Sequence, residues 1–199
     1  MAQKIEIWFE FASTYSYLTV SRAAPLLEAA GVPFAWKPFL LGPIFKAKGW
    51  DTSPFNLDKA KGNYMWRDVA RRAERFGLPF QRPPIFPMHT VQAARIMTAA
   101  LEQPWCGAFA QAVFTAEFAR GEDISDPAVL TRTLETCEVD AAHWLDAAQS
   151  DETKAALRAR TDEAAALGLF GAPSFRVGEE LFWGDDRLED ALIWAQERR

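Results

Sequence analysis

Ile5, Ile7, Phe9 and Phe11 fall on alternate positions of residues 4–11, the period-two pattern of a strand. The period then changes. Tyr17, Leu18, Val20, Ala23, Ala24, Leu26, Leu27 and Ala30 make one apolar face of a helix over residues 14–30, and Gly31 ends it. Residues 32–39 predict a second strand, stopped by Gly42-Pro43. Strand, helix and strand in this order predict a βαβ unit with parallel strands. The middle of the chain is different. Helical patterns run over residues 58–76, 90–103, 105–120, 126–137 and 151–167, and the proline-rich stretch 77–88 predicts an extended connection. Asp126-Pro127 is a helix start, with the acid at the cap and proline in the first turn. Strand character returns at residues 174–177 and 180–183, joined around Gly178. A last helix starts near Asp185 and carries Leu188, Leu192, Ile193 and Trp194. The pattern predicts an α/β fold: a small sheet built from residues 1–42 and 168–199, split by a helical insertion over 43–167. No internal repeat is visible.

Composition narrows the function. The 199 residues are 49% hydrophobic and 25% charged, a globular balance. A net charge of −5 without a basic stripe argues against nucleic acid as a partner. No apolar run reaches membrane-spanning length, and no basic stretch followed by an apolar core opens the chain, so a cytoplasmic location is expected. Cys106 and Cys137 form neither a CxxC motif nor a metal-ligand spacing, so no metal is expected and both are read as buried small apolar residues.

Ser13 stands between the first strand and the first helix. Serine is a favoured N-cap, worth about 1 kcal/mol through its bond to an orphan amide. The same position also suits an anion, because a helix start combines free amides with the positive end of the dipole. Lowering a thiol from about 8.5 to about 7 takes roughly 2 kcal/mol, the size of one charge-assisted hydrogen bond plus a dipole contribution. Pro173, in Phe170-Gly171-Ala172-Pro173, is a turn residue and a candidate cis-proline. In thioredoxin-like folds, which such a loop resembles, the backbone of the residue before the proline, here Ala172, is exposed and could pair with a peptide-like ligand. In Trp183-Gly184-Asp185-Asp186-Arg187, the tryptophan can be core and the acids can cap the last helix, or a carboxylate can receive a ligand's ammonium group. His89 and His143 are weaker candidates. The polar segment over residues 46–56 is expected as a long loop, suited to substrate recognition or simply solvated. Eight tryptophans and fifteen phenylalanines suit a roomy apolar cleft as well as a core.

A strand, a polar residue opening a helix, and a remote Gly-x-Pro before a strand resemble the thioredoxin superfamily, with Ser13 where a redox member carries cysteine. The resemblance is closer, and nearly end to end, to the 2-hydroxychromene-2-carboxylate isomerases and the kappa-class glutathione transferases. It rests on the segment from Phe11 to Leu18, on Tyr64-Met65 with Arg67-Asp68, on Phe170 to Pro173 and on Phe182 to Leu188. It implies a thioredoxin-like sheet of DsbA/kappa type split by a helical insertion. It also implies a homodimer, glutathione as cofactor and an aromatic keto acid as substrate. The implied reaction interconverts 2-hydroxychromene-2-carboxylate and trans-o-hydroxybenzylidenepyruvate in aromatic catabolism, with sulfur adding to the unsaturated acid, rotation about the resulting single bond, and elimination. On this resemblance Ser13 bonds the glutathione sulfur, Ala172 and Pro173 hold the cysteinyl part, and Trp183, Gly184, Asp185 and Asp186 surround the γ-glutamyl end. Lys46 and Asn56 are the nearest matches to the family's substrate contacts. Thr14 replaces the usual proline, and Asp185 stands where asparagine or serine is common. The alternatives are a kappa-like glutathione transferase or peroxidase, and a thioredoxin-like binding protein without turnover. A disulfide oxidoreductase is disfavoured, because no cysteine lies near the first helix start.

Overall fold

A computed structural model describes residues 2–197. They form four strands and ten helices. Strands β1 (Ile5–Phe9), β2 (Phe34–Pro38), β3 (Ser174–Val177) and β4 (Glu180–Trp183) make one sheet in the order β2-β1-β3-β4. β1 pairs in parallel with β2, Ile7 opposite Trp36, as the βαβ pattern requires. On its other side β1 pairs antiparallel with β3, Ile7 opposite Phe175, and β4 follows as an antiparallel hairpin partner.

β1 is central and apolar on both faces. Ile5, Ile7 and Phe9 enter the main core, which also holds Tyr17 and Leu18 of α1 (Thr14–Ala29) and Phe109 and Phe114 of α6 (Cys106–Arg120). Trp8 points the other way, into a second cluster with Phe39, Leu41, Ile44, Leu169 and Ala172. Glu6 lies between Lys37 and Arg176 at 3.4 and 3.5 Å, so the one acid on this strand is paired with cations from both neighbouring strands.

The expected helices are present: α4 (Lys59–Arg75), α5 (Val91–Ala99), α6, α7 (Pro127–Glu135) and α9 (Asp151–Ala166). Asp126 caps α7 through the Ala128 amide, with Pro127 in the first turn. The loop expected over residues 46–56 is confined to residues 48–53, with a short helix on either side. α2 (Leu41–Ala47) begins directly after β2, and α3 (Pro54–Leu57) is capped by Ser53. Gly42-Pro43 therefore stops the strand by opening a helix, since proline is tolerated in a first turn. Around His143 the chain forms α8 (Ala141–Ala147). The last helix, α10 (Leu188–Glu197), is preceded by a 3-10 turn, Asp185–Arg187. Cys106 is buried as expected, Cys137 is only half-buried, and both are free thiols.

Candidate active site

The start of α1 and the loop before β3 meet at one side chain. Ser13 has extended backbone angles and caps α1, its Oγ accepting the Ser16 N–H at 3.1 Å. The same hydroxyl donates to the carbonyl of Ala172 at 2.8 Å. The Ala172-Pro173 peptide is cis. The serine thus fulfils the cap reading and also touches the backbone across the site, 159 residues away in sequence. Thr14, the next residue, is buried with its hydroxyl on the Met65 sulfur at 3.2 Å, which ties the helix start to α4.

This junction opens into a cavity of about 1150 Å³. Its size is slightly above the usual range of small-molecule pockets, about 300–1,000 Å³. Phe45, Trp50, Phe55, Phe86, Phe170 and Trp183 supply an aromatic wall. Of the residues expected at the site, Ser13, Ala172, Trp183, Gly184, Asp185, Asp186 and Lys46 all line this cavity. Pro173 lies behind Ala172, and its carbonyl accepts the Gly184 N–H at 3.0 Å, joining the two motifs. Asn56 is not part of the lining. Its amide donates to Thr52 Oγ1 at 3.1 Å and to the Phe86 carbonyl at 3.0 Å, fastening α3 to the segment that carries the second cis peptide, Phe86-Pro87.

The Trp183 motif is not core. The indole is 54% exposed and meets Phe170 edge-on at 4.7 Å between centroids. It lies so close to Gly171 that a Cβ there would stand 2.4 Å from Nε1, so glycine is required for this packing. The two acids that follow differ. Asp186 is half exposed and contacts Arg187 at 3.2 Å. Asp185 is buried, and Arg72 of α4 places Nε and Nη2 on its Oδ2 at 2.9 and 2.7 Å. Arg22 holds the Asp185 carbonyl at 2.8 Å. Burial pulls the Asp185 carboxyl above its ordinary pKa while Arg72 pulls it back. The two-pronged contact is that of an ion pair. Neither acid makes a side-chain cap to the 3-10 turn.

Several cavity residues lay outside the candidates drawn from sequence. Arg72 is one, and Tyr15 is another, its hydroxyl donating to Asp68 at 3.0 Å and its pKa raised by burial and then by that carboxylate. Glu10 and Thr90 are the most telling. Glu10 is buried at the cavity wall, accepts the Ala12 N–H at 3.1 Å and takes the Thr90 hydroxyl on its other oxygen. Burial pushes its pKa up to about 7, against the pull of those two bonds. A sequence signal existed, an acid inside the apolar run from Trp8 to Ala12. His89, set aside as a weak candidate, is exposed at the cavity wall.

The DSBA-like thioredoxin domain model matches residues 4–192. A 2-hydroxychromene-2-carboxylate isomerase from Sphingobium xenophagum is 26% identical over 190 residues, covering 95% of this chain and 96% of that protein. Glutathione S-transferase kappa 1 from Rattus norvegicus is 25% identical, covering 93% and 87%. A solved structure of a 2-hydroxychromene-2-carboxylate isomerase superposes with a TM-score of 0.84 at 25% identity, covering 98% of this chain and 95% of that one.

Proposed function

The chain belongs to the DSBA-like thioredoxin domain family, and from that premise we propose that it is a glutathione-dependent isomerase. The proposed reaction converts 2-hydroxychromene-2-carboxylate to trans-o-hydroxybenzylidenepyruvate. The observation that carries this reading is Ser13. A hydroxyl, not a thiol, faces the cis-proline loop, so sulfur chemistry at this position needs a thiol from outside the chain. Relatives named as isomerases and as kappa glutathione transferases, matched over nearly the whole chain, support the same class.

Glutathione would supply the sulfur nucleophile that the chain lacks. The residues present fit a tripeptide thiol. Ser13 has one hydroxyl proton, now given to Ala172. Turning it toward a thiolate replaces a neutral acceptor with an ionic one, a stronger bond. Ala172 is then free to accept an amide N–H from the cysteinyl part through the carbonyl that Ser13 leaves. The exposed carboxylate of Asp186 is suited to the γ-glutamyl ammonium, beside Trp183 and Gly184. The aromatic wall and Lys46 offer stacking area and a cation to an aromatic keto acid. We propose a homodimer by the same resemblance, and a cytoplasmic location from the sequence pattern. Among the described residues no helix is long and apolar enough to cross a membrane.

Ser13→Ala tests the assignment. Turnover should fall by roughly 10- to 100-fold, the loss of about 1.5–3 kcal/mol expected for one charge-assisted bond. Glutathione binding by calorimetry should change far less, since the rest of the tripeptide is held elsewhere. Unchanged glutathione-dependent isomerisation in the variant would sink the proposal. Net consumption of glutathione with an electrophile, and no isomerisation, would move the protein to the transferase reading.

A further inference from the structure

Ser13 can hold a thiolate but cannot make one. A serine hydroxyl does not take up a proton at neutral pH. A group on the cavity wall can receive the proton that a thiol loses there, in place of solvent.

Glu10 is placed for it. It lines the same cavity as Ser13 and shares its turn: the Glu10 carbonyl accepts the Ser13 N–H at 3.0 Å, and the Glu10 carboxylate accepts the N–H of Ala12 at 3.1 Å. Its other oxygen takes the Thr90 hydroxyl, from the residue that opens α5. A neutral amide would also latch these two segments, its oxygen accepting the Ala12 N–H and its NH2 donating to the Thr90 hydroxyl oxygen, without the cost of burying an ionisable group. Behind it, on the core stripe of α6, stands a second acid. Both carboxyl oxygens of Glu117 are buried and lack a hydrogen-bond partner among the described residues. An unpaired buried charge is too costly, so Glu117 carries its proton. Burial, then Glu10, then Asp123 push its pKa up. Glu10 is therefore the member of the pair that ionises, held near neutrality by burial against its two bonds. His89, exposed beside Thr90, is the competing base on this wall.

Resting on the glutathione reading above, we propose that Glu10 accepts the proton of a thiol bound at Ser13, so that thiolate and neutral carboxyl form together. The S–H bond breaks, an O–H bond forms on Glu10, and no electrons are exchanged. When the ligand leaves, the proton returns to sulfur. The physical reason is coupling. A thiolate adds a second negative charge to one poorly solvated wall, and two such neighbours titrate as a pair that shares a proton.

Proton counting tests this. Glutathione is titrated into wild type and Glu10→Gln at about pH 7.5, in buffers of different ionisation enthalpy, with thiolate followed by its ultraviolet absorbance. Wild type should release well under half a proton per thiolate formed, and Glu10→Gln about one. Equal release by both proteins, the result expected if His89 or bulk water takes the proton, overturns the proposal. Should the variant not fold, wild type alone decides by infrared difference spectra of its complexes with glutathione and S-methylglutathione. A new protonated-carboxyl band with glutathione only supports the transfer, and its absence refutes it. Glutathione bound as thiolate without Glu10 protonation defeats this proposal alone. No glutathione binding, or binding only as the thiol, defeats the glutathione reading with it.

Discussion

Asp185 and Asp186 are adjacent in the chain and opposite in circumstance. From sequence they form one acidic pair, and either carboxylate could receive an ammonium group. The fold separates them: Arg72 occupies Asp185, and Asp186 remains half exposed at the cavity. Two single substitutions should therefore behave differently. Asp186→Asn should weaken glutathione binding by roughly tenfold, about 1–2 kcal/mol, while binding of cysteinylglycine, which lacks the γ-glutamyl group, stays the same. Asp185→Asn should instead lower stability. Removing one partner of a buried pair costs about 3–5 kcal/mol, and the Arg72 side chain, one-fifth exposed, can recover part of that from water, leaving about 2 kcal/mol. Calorimetry with both ligands and denaturant unfolding separate the two roles. If Asp185→Asn alone reduces glutathione affinity and leaves stability untouched, the assignments are reversed.

Between elements, α3 is fitted closely against α4 at a glycine. A Cβ at Gly62 of α4 would lie 2.2 Å from the Phe55 carbonyl oxygen, a backbone atom that cannot swing aside. Gly62→Ala should push α3 off α4 and strain the Asn56 bridge to Phe86, destabilising the protein by about 1–3 kcal/mol. Phe55 belongs to the cavity wall, so affinity for an aromatic substrate should fall as well. Thermal unfolding and substrate titration check both. This contact also marks where sequence reasoning stops. β1 and α1 were legible because their apolar periods are clear, and β2 because a short apolar stretch follows the Gly31 helix stop and completes a βαβ unit. The serine cap and the Ala172-Pro173 loop were legible because their residue types are locally distinctive. α2 and α3 were not, being four to seven residues long with glycine and proline at their starts. Arg72 and Thr90 reach the site only through helix packing, which no local pattern encodes. Glu10 and Glu117 leave a trace, an acid on an otherwise apolar strand end and an acid in register with Val113 and Phe114, but the trace becomes a pair only in three dimensions.

For the whole molecule the buried acids set the pH dependence of stability. An acid with a higher pKa folded than unfolded binds more protons in the folded state between the two values, so stability falls as pH rises through that window. For Glu10 the window runs from 4.5 to about 7, and Glu117 acts in the same direction. The Glu10 share is on the order of 3 kcal/mol. Unfolding free energy measured at about pH 5 and about pH 8 should therefore decline in wild type, and by about 2–3 kcal/mol less in Glu10→Gln, which keeps the Glu117 share. Parallel declines would mean that Glu10 does not carry the effect. The sheet order has a consequence in time as well. β1 finds β2 within its first forty residues, but its other edge waits for β3, since Glu6 meets Arg176 across a separation of 170 residues. At about 5–20 residues per second of synthesis, that edge stands open on the ribosome for roughly ten to thirty seconds. A nascent chain in this interval presents an apolar strand with unpaired amides, the kind of surface that chaperones cover and that aggregates form on. Ser13 has no Ala172 to meet until the same moment, so a chain cut short anywhere before the last strands can form the helix cap but not the candidate site.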